Sequence, residues 1–344
     1  MLFQNIDFHN VDRLFKTESG YKMQRVDDTV LPYLSDVAKR EVAYFGTGVE
    51  LRFVMEGHAA EITLCIEKAD FGLTSAPTVS RINVFYGDYQ SGWQTPDYPL
   101  VPGRNVIRLC LPQEIKDLRK LHHQTGGGFA PQVIRLCLQQ TVVEFVCASG
   151  DIRPPRADEC PAKTILFYGS SITNGADAQT VAATFPFRTA QHFNMDYLNL
   201  GFSGNAMLEK EMAQYICRRN DWDYACIELG ANVYGYSESE FTSHVKDFIE
   251  TMAADGRPVF CTDLFGCRSD IFGCAQKTEW MRSVVKAQAE KSGVFYVPGL
   301  TLLPANAMYV TTDGVHPSVV GANVLAQNYQ LYFQKFLESI SCGG

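Results

Sequence analysis

The chain has 344 residues, 46% of them hydrophobic and 20% charged, with a formal net charge of −8. That length suits two domains better than one, and the composition is that of a globular protein able to bury a large core. The acidic balance argues against a nucleic-acid or anionic-membrane surface, where a basic patch is needed. No apolar run approaches the roughly 20 residues of a membrane helix. The opening, "MLFQNIDFHNVDRLFK", lacks the basic start and apolar centre of a signal peptide, so a cytoplasmic location is expected. The 11 cysteines form no CxxC pair, and several lie in apolar runs such as "VIRLCL" and "YACIEL". They are expected to be reduced thiols that pack as small hydrophobes. The 7 histidines show no metal-ligand spacing, and the adjacent His122 and His123 fall in "LHHQTGGG", a solvated-loop composition. Neither a metal nor a cofactor is expected.

From about Tyr44 to Ser149 the chain reads as short β-strands. "VELRFVMEG", "AEITLCIEK" and "SRINVFYGD" alternate with period two. The hexapeptide "VIRLCL" occurs twice, 27 positions apart, a match short enough to be chance in a β-rich segment. Turn signals at Gly57, Gly87-Asp88, Pro102-Gly103 and Gly126-Gly127-Gly128 suit a sandwich or jelly roll, and only "PQEIKDLRKLHH" looks helical. The proline- and charge-rich "SGDIRPPRADECPAK" marks a boundary. An all-β sandwich (jelly-roll-like) domain is expected over 1–155 and a second domain over 160–344.

Beyond the boundary, strands and helices alternate. "TILFY" is a buried-type strand and "TVAATFPFRTAQHFN" a helix. "DYLNL" is a strand, and "AMLEKEMAQYICRR" has helical spacing. "YACIEL" precedes the helix "SESEFTSHVKDFIETMAADG", where Ser237 and Glu240 have capping-box spacing. "PVFCTDLF" precedes "QKTEWMRSVVKAQAEKSG", and "VFYVPG" precedes the closing helix "PSVVGANVLAQNYQLYFQKFLESI". Strict alternation implies a parallel sheet of about five strands with helices on both faces. Ligands of such sheets bind at the carboxyl ends of the strands.

Those ends carry a distinct set of residues. After the first strand come Gly169, Ser170, Ser171 and Thr173; after the second, "GFSGNA" with Gly201, Gly204 and Asn205; after the third, "GAN" with Asn232. The last long loop holds "TTDGVHPS", with Asp313 and His316. Acyl transfer needs such parts. A serine hydroxyl is a weak nucleophile until a base stands within hydrogen-bond reach, and a third group must orient that base. A serine at a strand-to-helix turn exposes its hydroxyl and leaves its own N–H free for a developing oxyanion, and nearby glycine lets substrate approach the backbone. Asp313 and His316 are close enough in sequence for one turn to aim both at one pocket. Pro317 suits the first turn of the final helix. Gly169 and Gly201 read as turn residues.

In this order and on these elements, "GSSIT", "GFSG", "GAN" and "DGVH" resemble the four sequence blocks of the SGNH (GDSL-type) hydrolase superfamily, over Thr164 to about Ile340. The resemblance implies a flavodoxin-like three-layer α/β/α domain with serine esterase, deacetylase or lipase activity. It implies Ser171 as nucleophile, His316 as general base and Asp313 as the residue that orients it. The oxyanion hole it implies is formed by the N–H groups of Ser171 and Gly204 and the side-chain amide of Asn232. Two positions depart from the pattern. Ser170 stands where the first block usually has aspartate, and Val233 where the third often has it, so local hydrogen bonding differs. A β-rich first half before such a domain is also similar to the layout of carbohydrate esterase family 2 and related bacterial deacetylases.

The expected activity is a metal-independent serine esterase acting on short acyl esters, foremost O-acetyl groups on a small-molecule or oligosaccharide substrate. The rivals are a lipase or thioesterase for longer chains and an inactive carbohydrate-binding protein. Neither nucleic acid nor membrane is an expected partner, and homo-oligomer formation stays open. Tyr86, Tyr89, Trp93 and Tyr98 in "YGDYQSGWQTPDYP" are more simply packing residues, with sugar contact through Trp93 as the minority reading. Tyr234 and Tyr236 either line the pocket mouth, where Tyr234 would touch substrate, or cover the next helix. Asp263, Cys267 and Cys274 lie near the fourth strand's end without an assigned role.

Overall fold

A 17-residue strand, Glu50–Ile66, organises the amino-terminal half. The computed structural model describes residues 1–67, 81–90, 97–178, 180–306 and 310–341, so Trp93 and Cys342 lie outside the described residues. The sequence suggests two strands here, "VELRFVMEG" and "AEITLCIEK", yet they form one. Gly57 keeps φ negative and does not turn, and the strand runs on by changing partners. Its first residues pair with Val133–Leu138 and Ile6–His9, and its last with Gly103–Cys110. Glu144–Arg153 follows it from Cys65 back to Val54, with register shifts at Phe145/Cys147 and Gly150/Ile152. All of these pairings are antiparallel. The core beneath them is aliphatic and aromatic, including Phe8, Leu51, Phe53, Ile62, Leu136 and Phe145.

The chain divides into two compact units. The first comprises Met1–Asp28, Val37–Lys163 and Asn194–Leu198; the second comprises Thr29–Asp36, Thr164–Phe193 and Asn199–Gly344. Inside the first unit lies a buried ionic cluster. Glu50, 0% exposed, accepts from Arg52 Nε at 2.8 Å and from Arg135 Nε and Nη2 at 2.8 and 2.7 Å. Arg52 also donates both Nη groups to Asp196 at 2.6 and 2.7 Å. The Phe129 ring lies 4.6 Å from the Arg52 guanidinium and 4.0 Å from that of Arg135. Burial alone would raise the Glu50 carboxyl, but Arg135 and Arg52 hold it far below the usual carboxylate range.

A separate sheet has five strands. Its strands are Thr164–Gly169, Asp196–Gly201, Tyr224–Glu228, Val259–Thr262 and Phe295–Val297. They lie in the spatial order second, first, third, fourth, fifth, with parallel pairing from the first through the fifth. The chain moves one way from the first strand to the second and the other way afterwards. Right-handed crossovers then send the helix between the first and second strands to one face and the helices after the second strand to the other. The packing agrees: Phe185–His192 lies on the closing helix Val319–Ser341, whereas Lys210–Arg218, Glu238–Ala253 and Ala275–Ser292 pack in series. The Ser237–Glu240 capping box forms, and the fourth of these helices ends at Gly293 with φ +72°. The closing helix starts at Val319, with Ser318 Oγ accepting the Gly321 N–H. Pro317 is therefore not in its first turn; it forms a β-bridge with Thr311.

Removing Glu50 would leave two buried guanidinium groups without their shared carboxylate. Glu50→Ala is expected to lower unfolding free energy by about 3–5 kcal/mol at neutral pH, measured by urea unfolding. A carboxyl depressed on folding stabilises above its unfolded pKa of about 4.3. The difference from wild type therefore narrows as the pH falls below that value.

Candidate active site

The first strand stops because the chain must turn over the end of the sheet. Ser170 takes an extended conformation and caps a short helix, Ser171–Asn174, with its Oγ accepting the Ile172 N–H at 3.2 Å. Gly175, with φ +87°, ends that helix. The sequence suggests turn conformations for Gly169 and Gly201, but neither has positive φ. Both are glycine because of close approach. A Cβ on Gly201 would run into the Thr173 and Asn174 backbone, and one on Gly169 would lie 2.5 Å from Glu228 Oε2.

This packing leaves Ser171 Oγ at 2.8 Å from His316 Nε2. His316 Nδ1 lies 2.8 Å from Asp313 Oδ2. A carboxylate can only accept, so Nδ1 carries the hydrogen and Nε2 is left to accept from the serine. One turn makes the pair rigid. Asp313 Oδ1 accepts the N–H groups of Val315 at 2.9 Å and of His316 at 2.8 Å, while Gly314 has φ +81°. Burial pushes the Asp313 carboxyl up, but these N–H groups and the imidazole outweigh it and keep the carboxyl below its ordinary range. Two further contacts hold the loop: Arg268 N–H donates to Gly314 O at 2.7 Å, and Thr312 Oγ1 donates to Asp177.

The sequence-derived donors sit on the neighbouring strand ends. Gly204 has φ +66°, and a Cβ there would meet nothing within 4 Å, so the space over its backbone is open. Asn232 Oδ1 accepts the Ala206 N–H at 3.0 Å, and among the described residues its Nδ2 meets no acceptor. Among the described residues, the N–H groups of Ser171 and Gly204 meet no acceptor. Gly230, with φ +119°, supplies the turn that carries Asn232.

Ser170 plays a different part from Ser171. Its N–H and Oγ–H both donate to Glu228 Oε2 at 2.8 Å, and Thr173 Oγ1 donates to the same oxygen at 3.0 Å. Burial raises the Glu228 carboxyl above its ordinary range, although these hydrogen bonds and the facing His316 pull it down. Sequence reasoning passed over Glu228; the available signal was one acidic residue in the otherwise apolar "YACIEL".

The remaining candidates have structural partners. Tyr234 lies under Lys277, whose Nζ is 4.6 Å from the ring, and the neighbouring Cys274 thiol pushes its hydroxyl up to about 12. Tyr236 donates to Met207 O at 3.3 Å. Asp263 is buried, with Oδ1 accepting the Gly299 N–H at 2.7 Å and its carboxylate receiving the Tyr296 hydroxyl. Cys267 begins the short helical turn Arg268–Asp270, and Asp270 is paired with Arg282. Tyr86 is buried and donates to Cys110 O at 2.8 Å. Among the described residues, the cysteines are free, no group of three or more His, Cys, Asp or Glu side chains could hold a metal ion, and no helix is long and apolar enough to cross a membrane.

A parallel sheet in this strand order, with a histidine-bonded serine at its carboxyl edge, is the framework of a serine hydrolase. The chain belongs to the GDSL-like lipase/acylhydrolase family, whose model matches residues 162–334, half of its length; this is a family of ester-hydrolysing enzymes. No curated protein sequence matches it. Among solved structures it is similar to SsfX3, a salicylyl-acyltransferase from a tetracycline biosynthetic pathway. That match has 14% identity and a TM-score of 0.76, covering 96% of this chain and 95% of the other. It is also similar to a protein assigned as a GDSL-like lipase from Bacteroides ovatus, with 18% identity and a TM-score of 0.68, covering 97% and 98%. At these identities the likeness is one of fold.

Gly201→Ala forces a methyl group into the Thr173–Asn174 backbone. It is expected to cost about 1–3 kcal/mol, the usual range for overpacking, read as a lowered thermal midpoint.

Proposed function

We propose that the protein is a metal-independent serine esterase in which Ser171, His316 and Asp313 form the catalytic triad. The unbroken hydrogen-bonded path from Ser171 Oγ through the imidazole to Asp313 carries this reading. Ser171 Oγ attacks the ester carbonyl carbon as its proton passes to His316 Nε2, and the carbonyl electrons move onto oxygen. Asp313, held ionised, steadies the imidazolium. The oxyanion is received by the N–H groups of Ser171 and Gly204 and by Asn232 Nδ2, a role supported by their lack of acceptors among the described residues. Collapse of this intermediate breaks the bond to the leaving alcohol, which takes the proton from His316. Water, deprotonated by the same imidazole, then attacks the acyl-enzyme and releases the acid and the free serine.

The substrate we favour is a short acyl ester, foremost an O-acetyl group on a carbohydrate. Its support is the two-part layout similar to carbohydrate esterase family 2. The salicylyl-acyltransferase likeness raises a second course for the same acyl-enzyme, in which an alcohol replaces water as acceptor. Longer chains would make the enzyme a lipase or thioesterase.

With p-nitrophenyl acetate and a chelator present, wild type and Ser170→Ala are expected to turn over. Ser171→Ala should lose on the order of 10⁶ in kcat; turnover by that variant would refute the assignment. Asn232→Ala should lose about 10²–10³, the cost of one oxyanion donor. Rates that fall steeply from acetate to octanoate support the short-chain reading, and rates that rise favour a lipase. Ester products formed in added alcohol, at the expense of free acid, would identify transfer.

A further inference from the structure

Glu228 lies at the end of the third strand and does not touch the Ser171 hydroxyl, yet it is 4% exposed and engages the turn that carries that serine. One carboxylate oxygen, Oε2, receives the Ser170 N–H, the Ser170 hydroxyl and the Thr173 hydroxyl at 2.8, 2.8 and 3.0 Å. Ser170 Oγ in turn accepts the Ile172 N–H, so the link reaches the first turn of the Ser171 helix. The other oxygen, Oε1, is buried with no hydrogen-bond partner among the described residues. The carboxylate is therefore committed to one side. Room for it exists only because residue 169 lacks a side chain, since a Cβ there would stand 2.5 Å from Oε2 and 2.9 Å from Glu228 Cβ.

We propose that Glu228 is a positioning residue, whose Oε2 ties Ser170 and Thr173 to the third strand and thereby fixes the direction of the Ser171 hydroxyl and N–H. The proposal rests on the reading of Ser171 as nucleophile. Ser170 and Thr173 flank Ser171 in sequence, so both sides of the turn are pinned to one acceptor. Loss of that acceptor frees the turn to rotate, and a displacement of about 1 Å at a reacting atom is enough to cost 10²-fold. The required group is an acceptor at this point in space, and it need not come from the third strand. An aspartate at position 170 would cap Ile172 as serine does, since both are favoured caps, and would bring its own carboxylate to Thr173. Position 170 and position 228 are therefore exchangeable sources of one acceptor.

The test compares wild type, E228Q, E228L, S170D and S170D/E228L. It measures kcat, KM, thermal midpoint and the rate at which a fluorophosphonate labels Ser171, with turnover counted per labelled site. E228Q keeps an acceptor oxygen and is expected to retain kcat within about threefold. E228L fills the space without an acceptor and should lower both kcat per site and the labelling rate by about 30–100-fold, with KM within threefold. S170D alone sets two carboxylates together and should lose activity, whereas S170D/E228L should recover at least tenfold over E228L. A purely structural role would reduce the number of labelled sites and the thermal midpoint and leave turnover per site unchanged; that result overturns the proposal. So does an E228Q loss equal to that of E228L, or a double variant no better than E228L. If E228L is insoluble, S170D/E228Q against S170D decides: removing the charge should restore at least fivefold, and no recovery overturns the proposal. Wild-type enzyme that turns over without label on Ser171 would instead sink the nucleophile assignment, a separate failure.

Discussion

The site depends on how closely a short turn can lie on the end of a sheet. Residues 170–175 settle onto the carboxyl ends of two adjacent strands, where Gly169 and Gly201 leave no Cβ in the way. The contact is between backbone and backbone at Gly201, and between backbone and a buried carboxylate at Gly169. Neither can yield as a flexible side chain would. From that seating follow the extended conformation of Ser170, the immediate start of a helix at Ser171 and an N–H at its first position that meets no acceptor among the described residues. A bulkier residue at either strand end would lift the turn and separate the Ser171 hydroxyl from an imidazole that is anchored on another loop.

The two compact units treat buried charge in opposite ways. In the first, Glu50 meets two guanidinium groups, and one of these, Arg52, grips Asp196 as well, so each charge has an opposite neighbour. In the second, Glu228 is surrounded by a backbone N–H and two hydroxyls, all neutral. Ionic compensation permits a deep carboxylate well below its usual range, whereas compensation by neutral donors leaves burial dominant. An arginine beside Glu228 would satisfy it more fully, but it would also place a fixed positive charge near His316 and oppose an imidazolium.

Much of the second unit was legible in the sequence because its chemistry and its geometry ask for the same residues. A parallel sheet exposes its ligands at strand ends, so small and hydroxyl residues after "TILFY", "DYLNL" and "YACIEL" were readable as a set. Ser237 with Glu240 and the terminal Gly293 gave true helix limits. Other features depended on partners distant in sequence. The long strand Glu50–Ile66 looked like two because its change of partners leaves no local mark. The repeated "VIRLCL" makes the same point. Both copies pair with that long strand, yet Arg108 is a surface residue on Glu61, whereas Arg135 is 3% exposed and bound to Glu50. Glu228 escaped notice for the same reason: nothing near it in sequence announces the turn it holds.

Asp313 and His316 share one tight turn, whereas Ser171 lies 145 residues before the histidine it meets. Translation at about 5–20 residues per second therefore brings the serine into view roughly 7–30 s ahead of that histidine. On the reading proposed above, the nascent chain carries throughout that interval a hydroxyl with no proton acceptor beside it. The histidine and Asp313 then emerge together, joined through one turn. The proposed triad is thereby incomplete until all five strands of the sheet have been synthesised, a timing that the order of the elements imposes.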